Sequence, residues 1–155
     1  MSVILADYSD IPDLVRFAVS FRNGLQRTEP SESAFRSGIY HLLDSDDAEF
    51  LVYQNTDKEA CGYILLRYFY SMWLPGLEAR IEDLFVDEPY QKNGYGKKLV
   101  EFAIGHAKEK QCQSIFLDTN ENNTVSNQIY QALGFVCESK RWQGGRQILY
   151  RRSLK

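Results

Sequence analysis

An apolar strand delivered directly to a glycine-opened helix constrains this chain more than any other feature. Residues Ile81-Glu82-Asp83-Leu84-Phe85-Val86 read as a strand, Asp87 to Asn93 as a short polar loop, and Gly94-Tyr95-Gly96-Lys97-Lys98-Leu99 as the start of a helix. The helix runs to about Lys110, with Leu99, Val100, Ala103, Ile104 and Ala107 on one face. Such a junction is an anion cradle. The first turn of a helix leaves N–H groups unpaired, and its dipole favours negative charge there. Glycines let the backbone approach a pyrophosphate closely, and Lys97 and Lys98 add positive charge.

Other phosphate-binding loops do not fit. A dinucleotide fingerprint needs a third glycine where Leu99 stands. A Walker A loop needs glycine in place of Gln91 and Ser or Thr in place of Lys98. No G-x-S-x-G elbow occurs. The three cysteines, Cys61, Cys112 and Cys137, form no CxxC pair, and His41 and His106 stand far apart. Reduced thiols and no metal site are therefore expected. A net charge of −3 lacks the basic excess of a nucleic-acid binder. No stretch approaches the ~18 apolar residues of a membrane span, and the N-terminus lacks the basic region of a signal peptide. A cytoplasmic protein is expected.

The 155 residues suit a single domain spanning residues 1–155. Val3 to Ala6 reads as a first strand. Ser9 or Asp10 caps a helix carrying Leu14, Val15, Phe17, Ala18 and Phe21, with Gly24 as its stop. Ser31 to Leu43 is a second helix. Strands follow at Phe50–Tyr53, Cys61–Tyr70 and Ala79–Val86, then the helix after Gly94 and a buried strand at Ser114–Leu117. A short helix from Val125 to Leu133 ends at Gly134, and Phe135–Glu138 with Ile148–Arg151 would close as an antiparallel pair. The fold class is α/β (α+β), with a central mixed, largely antiparallel sheet of about six to seven strands and about four flanking helices.

Two blocks of this order resemble the GNAT N-acetyltransferase superfamily. The first is its Q/R-x-x-G-x-G/A loop, read as Gln91-Lys92-Asn93-Gly94-Tyr95-Gly96. The second is Asn123-Thr124-Val125-Ser126-Asn127-Gln128-Ile129-Tyr130 followed by Leu133-Gly134-Phe135, with Ser126 where alanine is usual. Together they cover about residues 80 to 136. The resemblance implies acetyl-CoA as co-substrate. Backbone groups of Leu84, Phe85 and Val86 would pair with its pantetheine arm. Gln91, Lys92, Asn93, Gly94, Tyr95, Gly96 and Lys97 would hold its pyrophosphate, and Asn123 would help position it. The thioester would lie where two parallel strands, ending near Val86 and Leu117, splay apart.

Acetyl transfer needs a neutral amine, a polarised carbonyl and protonation of the leaving thiolate. Tyr130 is the candidate acid, because in the resembling family this tyrosine points at the sulfur; alternatively its ring simply packs in the core. Glu82 is the candidate base, acting through a water. Four residues before Val86 on one strand, it should share that residue's face, and partial burial would raise its pKa. The alternative is an exposed carboxylate. Asp83 should point the other way.

The segment Tyr70-Ser71-Met72-Trp73 with Ile81 to Val86 also resembles the diamine, polyamine and thialysine acetyltransferase branch. In that branch the glutamate corresponding to Glu82 lies near the amine. Tyr68, Tyr70 and Trp73 would then offer aromatic faces to a cation, or pack as ordinary strand residues. The acceptor reads as a primary amine of a small molecule, polyamine or amino acid-like. A protein α-amino or lysine acceptor is the alternative; the loops Gly24–Pro30 and Trp142–Arg146 would decide between groove and pocket. A non-catalytic acyl-CoA sensor is the alternative of another class. The resemblance also implies a homodimer.

Overall fold

The computed structural model describes residues 2–139 and 143–154, in two units, residues 1–117 and 118–155. The first unit is built on a five-stranded sheet in the order β1-β2-β3-β4-β5: Ser2–Leu5, Ala48–Gln54, Ala60–Ser71, Gly76–Val86 and Ser114–Leu117. The first three pairings are antiparallel and β4–β5 is parallel. β2 and β3 are buried along nearly their whole length, because helices cover both faces of the sheet. Phe50, Val52, Tyr63 and Leu65 join a core with Leu14, Val15, Phe17 and Ile39, which belong to α1 (Ile11–Gly24) and α2 (Glu32–Leu43). Each fully buried side chain of this size contributes about 1.5–3 kcal/mol. The helix α3 (Tyr95–Glu109) packs on β2, β3 and β4 with Leu99, Val100, Ala103 and Ala107 buried.

Local chemistry explains most boundaries. Ser31 caps α2, accepting the Ala34 N–H. Pro12 sits in the first turn of α1, where its missing N–H costs nothing. Asp10 is the N-cap residue of α1, as expected, but makes no side-chain cap bond; Asp7 caps the 3-10 turn over Tyr8–Asp10 that leads into α1, its side chain accepting the Ser9 N–H. α1 runs through Gly24 and stops at Leu25. β5 is an edge strand and only half-buried, with Phe116 37% exposed, whereas its apolar run predicts a buried one.

β4 carries one extra residue. Leu65 pairs with Asp83 while Leu66 pairs with Ile81, so Glu82 is a bulge. Bulges bend a strand and break the in–out alternation. The β4–β5 ladder ends at Ile81 and Leu117, yet β4 continues to Val86. From Glu82 onward β4 has no parallel neighbour among the described residues. On its other side β3 approaches closely at Gly62, where an added Cβ would meet the Phe85 carbonyl and lie 2.9 Å from the Val86 Cα.

The second unit contains α4 (Thr124–Ala132) and an antiparallel ladder of β6 (Glu138–Ser139) with β7 (Gly145–Arg146). Gly134, at φ 85°, terminates α4 as expected. The described residues thus hold four α-helices and seven strands, five in the sheet and two in the small ladder. The closing pair differs from expectation: Phe135–Cys137 and Ile148–Arg151 are not strands, and the two-residue ladder lies between them. Trp142 falls outside the described residues.

Across β2 and α3 lies a charged cluster. Glu49 accepts from the Tyr68 hydroxyl at 2.6 Å and Lys110 Nζ at 2.6 Å, and sits 2.7 Å from His106 Nε2. These donors hold the Glu49 carboxyl below its ordinary pKa although burial works the other way. A depressed folded-state pKa adds stability above the unfolded value that is lost as pH falls through the folded one. Glu49→Gln should lower stability by about 1.5–3 kcal/mol at pH 7. Denaturant titrations of both proteins should converge below about pH 4, where the unfolded carboxyl and then the folded one protonate. Gly62→Ala should cost about 1–3 kcal/mol by forcing β3 from β4, read in the same titrations.

Candidate functional site

The site-forming part of the first unit is the far half of β4 with the loop and helix after it. Leu84, Phe85 and Val86 lie in the segment that has left β5 behind. They are partly buried, paired with β3 on one side and, among the described residues, without a strand partner on the other. At such a place a ligand's amide groups can add to the sheet edge.

The following loop is held by its own side chains. Asp87 caps a 3-10 turn, Glu88–Tyr90, by accepting the Glu88 N–H. Its carboxylate also bonds Arg16 of α1, which donates to Asp13 at 2.9 Å and to the Ala60 carbonyl at 3.2 Å. Gln91 donates its side-chain amide to the Val86 carbonyl at 3.0 Å. Asn93 donates to the Tyr90 and Gln91 carbonyls, each at 3.1 Å. Gln91 and Asn93 therefore shape the loop with their side chains, and what they turn outward is backbone. Lys92 adopts φ 64° and Gly94 φ 76°, left-handed conformations that suit glycine best. Gly94 is the N-cap of α3 and supplies no side-chain cap. The first N–H groups of the helix, at Tyr95, Gly96 and Lys97, are left for an external acceptor.

Positive charge collects at this helix end. Lys98 Nζ lies 5.9 and 5.8 Å from the rings of Tyr53 and Tyr95, which stack at 4.4 Å. Lys97 pairs loosely with Glu101 at 3.7 Å. The unpaired β4 backbone and uncapped glycine-opened helix, with two lysines, fit a CoA thioester: an amide-bearing arm along the strand and a pyrophosphate on the helix.

The two acids of β4 have different surroundings. Glu82 is exposed, with 38% of its side-chain surface accessible, and pairs with Arg67 at 3.5 Å. The partial burial expected of it is absent. Burial falls instead on Asp83, whose carboxyl it pushes above the ordinary value, with the Glu82 charge adding to the rise. The reason is the bulge. Alternation from Val86 back to Glu82 assumes an unbroken strand, and β4 is broken there.

Asp83 opens into a cavity of about 480 Å³ between α1, α2 and the sheet. Tyr63 stands beside it, its hydroxyl 3.4 Å from Asp83 Oδ2, and burial raises the phenol strongly. Phe21, Phe35, Leu42 and Phe50 supply apolar wall. The α1–α2 connection, including Arg27, Glu29 and Pro30, lines the exposed side. The expected aromatic platform is elsewhere. Tyr70 and Trp73 lie at the exposed β3–β4 turn, 72% and 66% accessible, and Tyr68 is buried against Glu49 and Lys110. None of the three lines this cavity. The cavity residues carry no motif; only α1 and α2 packing over β3 and β4 brings them together.

In the second unit, Tyr130 is 9% exposed, its ring 5.8 Å from that of Phe135 in an edge contact. Burial raises its pKa, partly countered by a bond with Ser126. Asn123 precedes α4 as its N-cap and makes no side-chain cap bond. The loop before it is braced by Asn127, which donates to the Asn120 carbonyl at 3.0 Å. Among the described residues no cluster of His, Cys, Asp and Glu could hold a metal. No helix there is long and apolar enough to cross a membrane. All three cysteines are unpaired.

Comparison with known proteins places these features in a family. The bovine thialysine N-epsilon-acetyltransferase is 27% identical over 146 residues, 88% of this chain and 84% of that protein. The spermine/spermidine N(1)-acetyltransferase of Bacillus subtilis is 39% identical over 56 residues, 36% of this chain and 37% of that protein. The structure of AAC(6')-Iy in complex with the bisubstrate analog CoA-S-monomethyl-acetylneamine shares the fold, with a TM-score of 0.75 over 98% of this chain and 97% of that one at 21% identity. The model of the acetyltransferase (GNAT) family matches residues 17–135, which takes in the splayed end of β4, the glycine loop and Tyr130, and the chain belongs to that family of acetyl-CoA-dependent N-acetyltransferases.

Proposed function

We propose that this enzyme transfers the acetyl group directly from acetyl-CoA to a primary amine of a small molecule held in the α1–α2 cavity. The observation that carries the reading is the cavity itself. Apolar side chains wall it on the sheet and helix sides, it opens to solvent along the α1–α2 connection, and Asp83 brings a carboxylate to it from the stretch of β4 that has parted from β5. A small metabolite fits a concave, largely apolar pocket of this volume. The relatives whose names give an acceptor support an amine, and the thialysine enzyme matches along most of the chain.

In this mechanism Leu84, Phe85 and Val86 align the pantetheine arm and polarise the thioester carbonyl through backbone N–H. The backbone of Gln91 to Gly96, with Lys97, holds the pyrophosphate. Asn123 helps to fix the co-substrate. Glu82 is the base. Exposed and free to reach water, it takes the proton that the amine nitrogen sheds as its lone pair forms the new C–N bond. Tyr130 is the acid. Its burial keeps the phenol protonated, ready to give its proton to the thiolate released when the C–S bond breaks. Solvent then returns the phenol proton and removes the one on Glu82. The family match runs across residues 117 and 118, which supports a single acetyltransferase domain. A cytoplasmic homodimer completes the reading. Unpaired thiols suit a reducing compartment, and light scattering at micromolar concentration tests the dimer.

Thiol release from acetyl-CoA should be detected with small primary amines and not with peptide N-termini. Tyr130→Phe should lower kcat about 100-fold or more with acetyl-CoA affinity by calorimetry nearly unchanged. A fall in affinity with kcat preserved would remove Tyr130 as the acid. Glu82→Gln should lower kcat with acetyl-CoA affinity nearly unchanged, and an unaltered kcat would remove Glu82 as the base.

A further inference from the structure

The acceptor cavity is charged unequally at its two ends. Inside stand Asp83 and the Tyr63 hydroxyl, within an apolar wall. On the exposed side stand Arg27 and Glu29, and the half-buried Arg22 also lines the cavity. Arg22 donates to the Asn23 Oδ1 at 3.1 and 2.9 Å and to the Pro30 carbonyl at 2.7 Å. Its guanidinium also lies 5.9 Å over the Phe35 ring, part of the cavity wall. All these partners are neutral, so they fix the guanidinium in place and leave its charge uncompensated. Neither Arg22 nor Arg27 forms an ion pair among the described residues. Two cations thus face one anion at the mouth, while a carboxylate waits inside.

A ligand that satisfies both ends has an ammonium or amine at one end, an apolar stem, and an anion at the other. A diamine or polyamine satisfies only the inner end, since its second ammonium would meet Arg22 and Arg27. An amine without a distal charge gains nothing at the mouth. We propose, resting on the reading of this cavity as the acceptor site, that the enzyme selects amino acid-like zwitterions. Asp83 receives the reacting amine, and Arg27 with Arg22 binds the distal carboxylate. Asp83 orients the nitrogen beside the splayed end of β4, and the arginines set the depth to which the stem enters.

Three probes with one stem separate the terms: 6-aminohexanoate, hexylamine and 1,6-diaminohexane share the reacting amine and differ in distal charge. The kcat/KM should fall in that order, with about tenfold between the first and last, the size expected of screened charge contacts that reverse sign. Arg27→Glu, at an exposed position, should invert the order while acetyl-CoA affinity stays as in the parent protein. Asp83→Asn should lose transfer to all three with acetyl-CoA binding retained; should that variant not fold, the Arg27→Glu inversion carries the test alone. Equal or better use of 1,6-diaminohexane by the parent protein would overturn the selection and leave small-molecule acetylation standing. Acetylation of a peptide N-terminus with none of the three probes used would overturn both.

Discussion

The ladder between β4 and β5 stops at Ile81 and Leu117, and β4 runs on to Val86. Every functional feature of the first unit depends on that early stop. Backbone N–H and C=O groups left without a strand partner inside a protein are costly unless something else satisfies them. Here the strand passes straight into a loop and a helix whose first N–H groups are also unpaired. One stretch of chain therefore presents two successive rows of unused backbone groups, the first suited to an amide-bearing arm and the second to a pyrophosphate. Gly62 maintains the arrangement from the other side, because only a residue without Cβ lets β3 come close enough to hold Phe85 and Val86 in register.

The bulge at Glu82 lies where the two strands part, and it gives two adjacent acids different surroundings. In an unbroken strand Glu82 and Asp83 would face opposite sides of the sheet. The extra residue resets the count, so Ile81 pairs with Leu66 on the near side of the break and Asp83 with Leu65 beyond it. Glu82 reaches solvent and Arg67, while Asp83 sits beside Tyr63 under α1 and α2. An exposed acid exchanges protons readily with water, and a buried one binds a cation tightly because competing water is scarce. The two properties conflict in a single side chain, and neighbouring residues with different burial supply both.

How much of this was legible in the sequence follows from how local each signal is. The strand, loop and helix around Gly94 are written in consecutive residues: the strand ends at Val86 as expected, though it starts three residues earlier, at Gly76, and the helix lies within a residue of expectation. Ser114–Leu117 and the stop at Gly134 were equally readable, for the same reason. The family followed from two such blocks. The failures were non-local. The bulge depends on pairing between β3 and β4, which no window within β4 reveals, so alternation alone predicts partial burial of Glu82 and turns Asp83 to the other face. The half-exposed state of β5 depends on its place at the sheet edge. The cavity joins Phe21, Arg22, Arg27, Phe35, Tyr63 and Asp83 from four elements and the α1–α2 connection, with no spacing that could have announced it. A cluster of apolar residues on α1 facing α2 was readable, but not the gap left between them.

This division has a physical root. In the proposed reading acetyl-CoA would be held largely by main chain, through strand-like pairing and helix N–H groups, so its site would be a property of local geometry and leave a local trace in the form of glycines and a strand end. The proposed acceptor would instead meet side chains that converge across the fold. Arg22 illustrates this: its guanidinium is held by the neighbouring Asn23 side chain and by the Pro30 carbonyl across the α1–α2 connection. Another residue there would leave the sheet, the helices and the co-substrate cradle unchanged while altering the charge at the cavity mouth. Within such an architecture the donor chemistry is fixed by the fold, and the acceptor is set by a few side chains around the pocket, which is why Arg22, Arg27 and Asp83 carry more information about this enzyme's substrate than the motif that identifies its family.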